Sequence, residues 1–450
     1  MNSGRLPGYN SFFLAGSAIL RPDRNQRVYG AVRQSPVVPT MSRKIVFFLI
    51  AVTLVVILSV GCTQQSPAGN ASAETAPGEN ITMTVPFGPV PVESTNGVNI
   101  AYELELNVTG KTTLVPEHLD VIDADTGNVI YTPSAGLLAE SFLVAHAPIP
   151  PDELVNGSLE PIVPRISVWF VVGNGSVPNR LVHRLTLNRT AEGLSPLTVT
   201  GGEVVVRKDL APVIIGSPLK GAGWTAMETT APDTHHFLAP ITANGVTRTP
   251  QRYAQDFFLV DPATGQAVSG NATLSKDYYG YGKEVYAVKN GTVAAVYDGV
   301  PDNPVVYRQE SLSFETLAGN YVIIDIGDKK YACYGHFIPG SIRVKAGDTV
   351  TEGQVIGLVG NSGNSDIPHL HFQIVTGTPS LLGAEGYPHV YRSFTVIGQV
   401  NQSRADRAVT AEGLTMDQLW AELGNFIEYN TNPLPQQDRL MENWAVVRFP

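Results

Sequence analysis

Two histidines in the C-terminal third of the chain have the spacing of side chains that share one face of a strand. His369 and His371 follow a Gly/Asn/Ser-rich turn over residues 360–366 and are separated only by Leu370. Side chains at positions i and i+2 of a β-strand point to the same face and stand roughly 7 Å apart. We therefore expect both imidazoles to face one space, where one can bind a metal ion and the other can contact a water molecule or a substrate.

Other segments carry side chains that suit the same chemistry. They are an adjacent pair of histidines, a carboxylate in an apolar segment and a histidine that ends a strand-like segment: His235, His236, Asp256 and His336. Two imidazoles and one carboxylate, with water in the fourth position, are typical of a catalytic zinc site. An aspartate within an apolar strand also needs a partner such as a cation. The remaining histidines could position the water, stabilise a tetrahedral oxyanion and pass a proton to the leaving amine.

Four ordered segments of the chain resemble a known family. They cover residues 253–257, 334–337, 344–357 and 360–372. Together with a histidine upstream of them, they resemble the lysostaphin/LytM-type zinc metalloendopeptidases over about residues 213–395. The resemblance implies a compact antiparallel β-fold, a bound zinc ion and hydrolysis of a peptide bond in a short glycine-rich or cell-wall cross-linking peptide.

The same resemblance implies a role for each candidate residue. His236, Asp256 and His371 would be the zinc ligands, and His336 and His369 would be the catalytic pair. Compact members of the family have a His-x-x-x-Asp spacing, whereas here the first two ligands are twenty residues apart. In this respect the chain is similar to a long-loop variety of the family.

His235 remains an alternative to His236 as the first ligand. The two residues are adjacent in the sequence. Consecutive residues of a strand point to opposite faces, so only one of the two can face the metal.

Short β-type segments separated by turns predict a mainly β protein with two domains. Residues 83–212 contain half-buried strand patterns, such as the alternation over 100–108, and predict an immunoglobulin-like β-sandwich. Residues 213–397 are assigned to the LytM-like peptidase domain, with a strand pair within 320–337. Residues 398–450 are assigned to a C-terminal extension with one amphipathic helix that packs on the core.

The first 62 residues have the pattern of an export signal. Arg43 and Lys44 precede an apolar run over residues 45–61, which ends at Cys62. This pattern is typical of a secretory signal, and the sequence before Cys62 resembles a lipoprotein processing box in which the cysteine becomes the lipidated N-terminus. An uncleaved anchor is the alternative, since seventeen residues are at the short limit for a membrane span. We interpret Met41 as the start of the signal and expect the folded part to be anchored to the outer face of the cell membrane.

Residues 63–82 are rich in Ser, Ala, Gly, Thr and Pro and predict a flexible linker between the anchor and the fold. Nine Asn-x-Ser/Thr sequences occur along the chain and suggest a glycoprotein.

Composition argues against several other classes of protein. The net charge is −10 and no run of Lys or Arg forms a basic patch, which argues against nucleic-acid binding. Cys62 and Cys333 are the two cysteines of the chain, so a disulfide framework and a cysteine-based zinc site are excluded. We expect Cys333 to be a small buried apolar residue.

Two other functions have to be weighed against a peptidase. A biotinyl- or lipoyl-type carrier domain shares the Gly-Asp-x-Val pattern, but Lys345 does not lie in the hairpin turn that such a carrier needs. A catalytically silent LytM-fold binding module is the stronger alternative, although every ligand position and the catalytic pair are filled. We therefore predict a zinc metalloendopeptidase that acts on cell-wall or envelope peptides.

Overall fold

The computed structural model describes residues 80–109, 114–143, 162–173, 175–189, 195–243, 245–303 and 316–450. The predicted export signal, with Cys62, and most of the predicted linker lie outside these residues. Within the described ranges, no helix combines the length and the apolar character needed to cross a membrane.

The N-terminal part of the described chain is a β-sandwich of two antiparallel sheets. The first sheet contains β1 (Asn80–Thr84), β2 (Val92–Ser94), β3 (Gly97–Thr109), β6 (Phe142–Leu143) and β7 (Arg165–Val172). The second contains β4 (Leu114–Asp123), β5 (Val129–Tyr131), β8 (Arg180–Arg189) and β9 (Leu197–Val205). A short helix, α1 (Ala135–Ser141), precedes β6 and begins after Ser134, whose hydroxyl accepts a hydrogen bond from the Leu137 amide.

In the first sheet the spatial order of the strands is β1-β3-β7-β6, with β2 paired to β3. In the second sheet the order is β5-β4-β8-β9. One apolar core lies between them, with contributions from both sheets, such as Tyr102 and Leu185. The sandwich is as predicted from the sequence, while its immunoglobulin-like type stays a prediction. Since β1 begins at Asn80, the last three residues of the predicted linker belong to a strand, which corrects that boundary.

Strand β3 differs from its predicted half-buried pattern because both of its faces are covered. Tyr102 and Leu104 point into the sandwich core, while Ala101 and Glu103, on the opposite face, are also buried. The second face is covered by residues from the C-terminal half of the chain, such as Arg252. The outer face of this sheet is therefore an internal contact surface of the protein.

The rest of the chain is organised around one large antiparallel sheet of eleven strands. These strands are β11 (Gly221–Met227), β14 (Gln255–Leu259), β16 (Gly291–Tyr297), β17 (Asn320–Asp325), β18 (Lys330–Phe337), β19 (Thr349–Val350), β21 (Leu370–Thr376), β22 (Glu385–Gly386), β24 (Phe394–Val400), β25 (Ile427–Gln436) and β26 (Ala445–Phe449). Their spatial order is β19-β16-β17-β18-β21-β14-β11-β26-β24-β25, with β22 paired to β21. The predicted strand pair within residues 320–337 is confirmed as β17 and β18.

Smaller elements complete this part of the chain. Three two-stranded sheets pair β10 (Val213–Ile215) with β23 (His389–Tyr391), β12 (Ile241–Ala243) with β13 (Val246–Arg248), and β15 (Glu284–Tyr286) with β20 (Val355–Leu358). Two helices, α2 (Gln402–Thr410) and α3 (Met416–Ala421), precede β25. The hairpin of β12 and β13 lies within the nineteen residues between the first two predicted metal ligands, His236 and Asp256, so it accounts for part of their wide spacing.

The C-terminal residues are integral to the large sheet, which corrects the prediction of a separate extension from residue 398. Strand β26 lies between β11 and β24, and its Phe449 packs against Phe257 in the core. The single predicted amphipathic helix is also divided, into α3 and a 3₁₀ turn at Leu423–Phe426. Its apolar residues, such as Leu419 and Leu423, are buried as expected.

Candidate metal centre

Neighbouring strands of the large sheet bring three candidate residues together. Asp256 of β14 is the direct cross-strand partner of His371 of β21, and Gly335, next to His336, is the partner of His371 on the other side. Alternation along a strand places Phe257 and Phe372 in the apolar core, so Asp256 and His371 face the opposite side of the sheet. His236 comes from the turn that follows β11.

The predicted ligands form one compact and buried cluster. One ligand atom from each of His236, Asp256 and His371 lies within 4.8 Å of the others. His236 Nε2 is 3.4 Å from Asp256 Oδ2, and His371 Nδ1 is 2.9 Å from Asp256 Oδ1. Two zinc ligands at a tetrahedral angle and at Zn–N/O distances of about 2.1 Å lie roughly 3.4 Å apart, so the cluster has the size of a zinc site.

The protonation of His236 follows from its backbone partner. Its Nδ1 lies 2.9 Å from the carbonyl oxygen of Glu228, and because a carbonyl oxygen only accepts, Nδ1 carries the proton. Burial lowers the pKa of His236 to about 3, so the ring is neutral at pH 7 and Nε2 has a free lone pair. That lone pair faces the carboxylate of Asp256.

His371 is oriented by Gln373, which lies two residues further along β21 on the same face. Gln373 donates its amide hydrogens to the carbonyl oxygens of Pro250 and Leu381, at 3.2 and 2.7 Å, so its Oε1 is left as an acceptor. This Oε1 lies 2.7 Å from His371 Nε2. The proton of a neutral His371 is therefore held on Nε2, and Nδ1 is directed at Asp256 as a metal ligand.

Asp256 is ionised in this environment. Burial by itself raises the pKa of its carboxyl group, but the positive charge that His236, His369 and His371 carry when protonated, together with the hydrogen bond from His371, outweighs this effect, and the pKa lies well below its usual value. With His236 and His371 in the tautomers described above, two nitrogen lone pairs and a carboxylate point at one another. Such a donor set repels itself unless a cation lies between its members, so the residues present fit a zinc ion.

The two predicted catalytic histidines stand beside this cluster. The ring centroids of His336 and His369 are 4.7 Å apart, and His369 Nε2 lies 3.5 Å from Asp256 Oδ2. Each ring donates its Nδ1 proton to a carbonyl oxygen at 2.7 Å, that of Ser362 for His336 and that of Ile367 for His369. In the neutral form of each ring, the lone pair therefore lies on Nε2.

Burial and the neighbouring histidines also lower the pKa of His336 well below its usual value. His336 has a backbone φ of +64°, which is uncommon for a residue other than glycine. The His336 ring thus faces His369 from the end of β18, and the backbone there adopts a less favourable conformation.

His235, the alternative first ligand, lies outside the three-residue cluster. The segment with His235 and His236 is a turn and not a strand, and the two ring centroids are 4.5 Å apart. The His235 side chain is 35% exposed and its Nδ1 lies 3.4 Å from the carboxylate of Glu228. The structure thus places His236, rather than His235, against Asp256.

Two residues at the site were not identified from the sequence. Glu228 accepts a hydrogen bond from the His235 amide through its side chain, and from His236 through its carbonyl oxygen, and it has a φ of +54°. No sequence pattern marks this role. Gln373 could have been found from the sequence, because it follows His371 by two residues on one strand and so lies on the same face.

Of the remaining histidines, three have structural contacts and are remote from the cluster or turned away from it. His183 bonds to Tyr102, His118 to Asp120, and His389 to Gln255. Cys333 is fully buried, and burial raises the pKa of its thiol far above the usual value, so it is not a nucleophile.

Residues 277–381 match the sequence profile of Peptidase family M23. The class that this stretch indicates is therefore that of a peptidase domain. The chain carries a domain of peptidase family M23, which confirms the resemblance to the lysostaphin/LytM-type enzymes. The matched stretch includes His336, His369 and His371 but does not reach His236 or Asp256.

Two curated relatives are similar to part of the chain. Peptidoglycan DD-endopeptidase ShyA of Vibrio cholerae is 40% identical over 99 residues, which are 21% of this chain and 22% of that protein. Endolysin 2638A of Staphylococcus phage 2638A is 37% identical over 94 residues, 20% of this chain and 18% of that protein. The similarity thus spans about a fifth of each relative's length.

Among solved structures, the catalytic domain of lysostaphin from Staphylococcus simulans is 26% identical. The similarity covers 33% of this chain and 80% of that domain, with a TM-score of 0.19.

Replacing Gln373 tests how His371 is held. In Gln373→Leu, His371 Nε2 loses its hydrogen-bond acceptor, so the ring proton can also occupy Nδ1, the atom that would bind the metal. We therefore expect zinc affinity to fall about 10- to 100-fold. The measurement is competition for zinc with a chromogenic chelator. Val375→Ala is the control, since Val375 is equally buried one step further along the same face of β21. Equal zinc affinity in Gln373→Leu and the wild type would contradict this role.

Proposed function

We propose that the chain is a zinc-dependent metalloendopeptidase that hydrolyses peptide bonds of cell-wall or envelope peptides. The observation that carries the proposal is the convergence of His236 Nε2, the Asp256 carboxylate and His371 Nδ1 within one buried space, beside two further imidazoles. His236, Asp256 and His371 would hold the metal. Zinc in such a site supplies Lewis-acid activation of a water molecule near neutral pH.

His369 is the residue best placed to move a proton in this reaction. Its Nδ1 proton is bonded to Ile367, so Nε2 is free to accept a proton from the attacking water as the new C–O bond forms. The proton then passes to the amine nitrogen as the C–N bond of the peptide breaks. His369 thus acts first as a general base and then as a general acid.

His336 completes the catalytic pair from the neighbouring strand. Its ring lies within 5.8 Å of His371 and closer to His369, centroid to centroid, so it borders the same reaction space. Because its Nδ1 proton is fixed on Ser362, its Nε2 can position the water or share the transferred proton, and once protonated it can stabilise the oxyanion. The burial of both rings keeps bulk water from competing for these contacts.

A peptide of the cell wall or envelope is the proposed substrate. Support comes from the curated relatives, one named a peptidoglycan DD-endopeptidase and the other an endolysin. The stretch that matches the family profile, residues 277–381, contains His336, His369 and His371. Purified peptidoglycan and glycine-rich peptides are therefore the first substrates to test.

Zinc content tests the proposed metal centre. We expect one zinc ion per purified full-length chain by elemental analysis, and its loss in both Asp256→Ala and His371→Ala, because each variant removes one of three protein ligands. His118→Ala, a sandwich histidine with a half-exposed ring, should retain the metal. A wild-type chain without zinc after reconstitution would contradict the proposal and favour a silent binding module.

Catalytic roles are tested by His369→Ala and His336→Ala. Both variants should keep zinc, because neither residue is a proposed ligand, and should lose about 100-fold or more in turnover. Turnover is measured as the release of amino groups from purified peptidoglycan. Zinc loss in these variants equal to that in His371→Ala would overturn the division of roles, and so would full turnover in both.

We also propose that the protein is exported and held at the outer face of the cell membrane through Cys62. The basic flank, the apolar run over residues 45–61 and the cysteine that follows support this placement. In a host that processes lipoproteins, the wild type and Cys333→Ala should fractionate with membranes, whereas Cys62→Ala should not. Membrane retention of Cys62→Ala would reject lipidation in favour of an uncleaved anchor.

A further inference from the structure

The outer face of the β-sandwich packs against the segments that carry two of the three proposed metal ligands. A single buried apolar cluster forms this contact. It joins sandwich residues to residues of the C-terminal half: Val92, Ala101 and Trp169 on one side, and Phe237, Tyr253, Val390 and Leu440 on the other. Phe237 directly follows His236, and Tyr253 comes three residues before Asp256.

Trp169 of β7 is the central residue of this cluster. Its ring lies edge-on to Phe237 with centroids 5.2 Å apart, and 5.6 Å from the ring of Tyr253. The indole Nε1 donates to Asn99 Oδ1 at 3.0 Å, and Asn99 donates in turn to Ser94 at 2.9 Å. The indole is therefore held from within the sandwich while it contacts both ligand-bearing segments.

A buried ion cluster fixes the same contact surface. Arg252, next to Tyr253, bonds to Glu103 of β3 and lies 2.5 Å from Glu385 of β22. All three side chains are buried, with 5% or less of Arg252 and Glu103 exposed. Separating them would leave charges unpaired in the interior, which is costly. The sandwich and the ligand-bearing part of the sheet are thus held in one relative position.

We propose that the β-sandwich is a structural part of the metal centre, and that Trp169 is a positioning residue for His236 and Asp256. The inference rests on the proposed zinc site. Among the described residues, the turn with His236 pairs with no strand, so its position depends on the hydrogen bonds to Glu228 and on the packing of Phe237. Without the indole, the turn can relax, and the free energy of ordering the ligands then reduces zinc affinity.

The test compares Trp169→Ala with Phe170→Ala in the full-length chain. Phe170 is the next residue of β7, is equally buried, and stacks on Tyr131 inside the sandwich, away from the ligand-bearing segments. Both substitutions leave a cavity and lower the melting temperature. We expect zinc affinity, from chelator competition, to fall about 10-fold or more in Trp169→Ala alone, as for the loss of other residues that orient ligands.

The visible spectrum of the cobalt-substituted protein is the second readout, since it reports ligand geometry around the metal. It should change in Trp169→Ala and stay as in the wild type in Phe170→Ala. Unchanged zinc affinity in Trp169→Ala, or an equal loss of zinc affinity in Trp169→Ala and Phe170→Ala, would overturn the inference. Neither result would contradict the proposed zinc site itself. A wild type that binds no zinc would instead overturn the proposed function, and this inference with it.

If Trp169→Ala does not fold, zinc affinity is measured instead in Trp169→Leu, in Phe237→Leu and in the double variant. These variants retain apolar volume but remove the edge-on ring contact. We expect their losses in zinc-binding free energy to be non-additive in the double variant, because both act through one contact. Additive losses would show that the two rings act independently and would reject the positioning role.

Discussion

The negative charge of Asp256, buried among imidazoles, is the interaction on which the rest of the site depends. An ionised carboxylate in the interior is stable only beside a positive charge, and the nearest groups are histidines whose protons are held elsewhere. His236 donates a hydrogen bond from Nδ1 to the Glu228 carbonyl oxygen, and His371 donates one from Nε2 to Gln373 Oε1. The site is therefore built to be completed by a cation, and the surrounding hydrogen bonds determine which atoms face it.

Strand pairing and side-chain packing hold the ligands together although the Asp256 carboxylate and the imidazole lone pairs repel one another. Asp256 and His371 are held at a fixed distance by the pairing of β14 with β21, whose other face contributes Phe257 and Phe372 to the core. His236 has no such support from the sheet. It depends on Glu228, with its positive φ, and on the contact of the next residue, Phe237, with the β-sandwich. The ligand that lies outside the sheet is thus held in part by the β-sandwich.

Most of the local structure could be predicted from the sequence, because turn residues and apolar alternation are local signals. The β17–β18 pair and strand β21, which contains His371 and begins directly after His369, are examples. The C-terminal residues could not be placed in this way. Strand β26 pairs with β11, more than two hundred residues earlier, and no local pattern specifies such a partner. For the same reason, strand β3 was expected to have one exposed face, although the chain covers both.

By itself, the sequence determined the residue types of the site and the family of its domain. His336, His369 and His371 lie in short ordered motifs that the family match also includes. Tertiary structure decided which of the adjacent histidines meets Asp256, since His235 and His236 differ only in the direction that a turn gives their rings. It also decided the hydrogen-bond partners of these rings and the contact with Trp169. These features depend on contacts between residues far apart in the chain, whose distances only the packed fold determines.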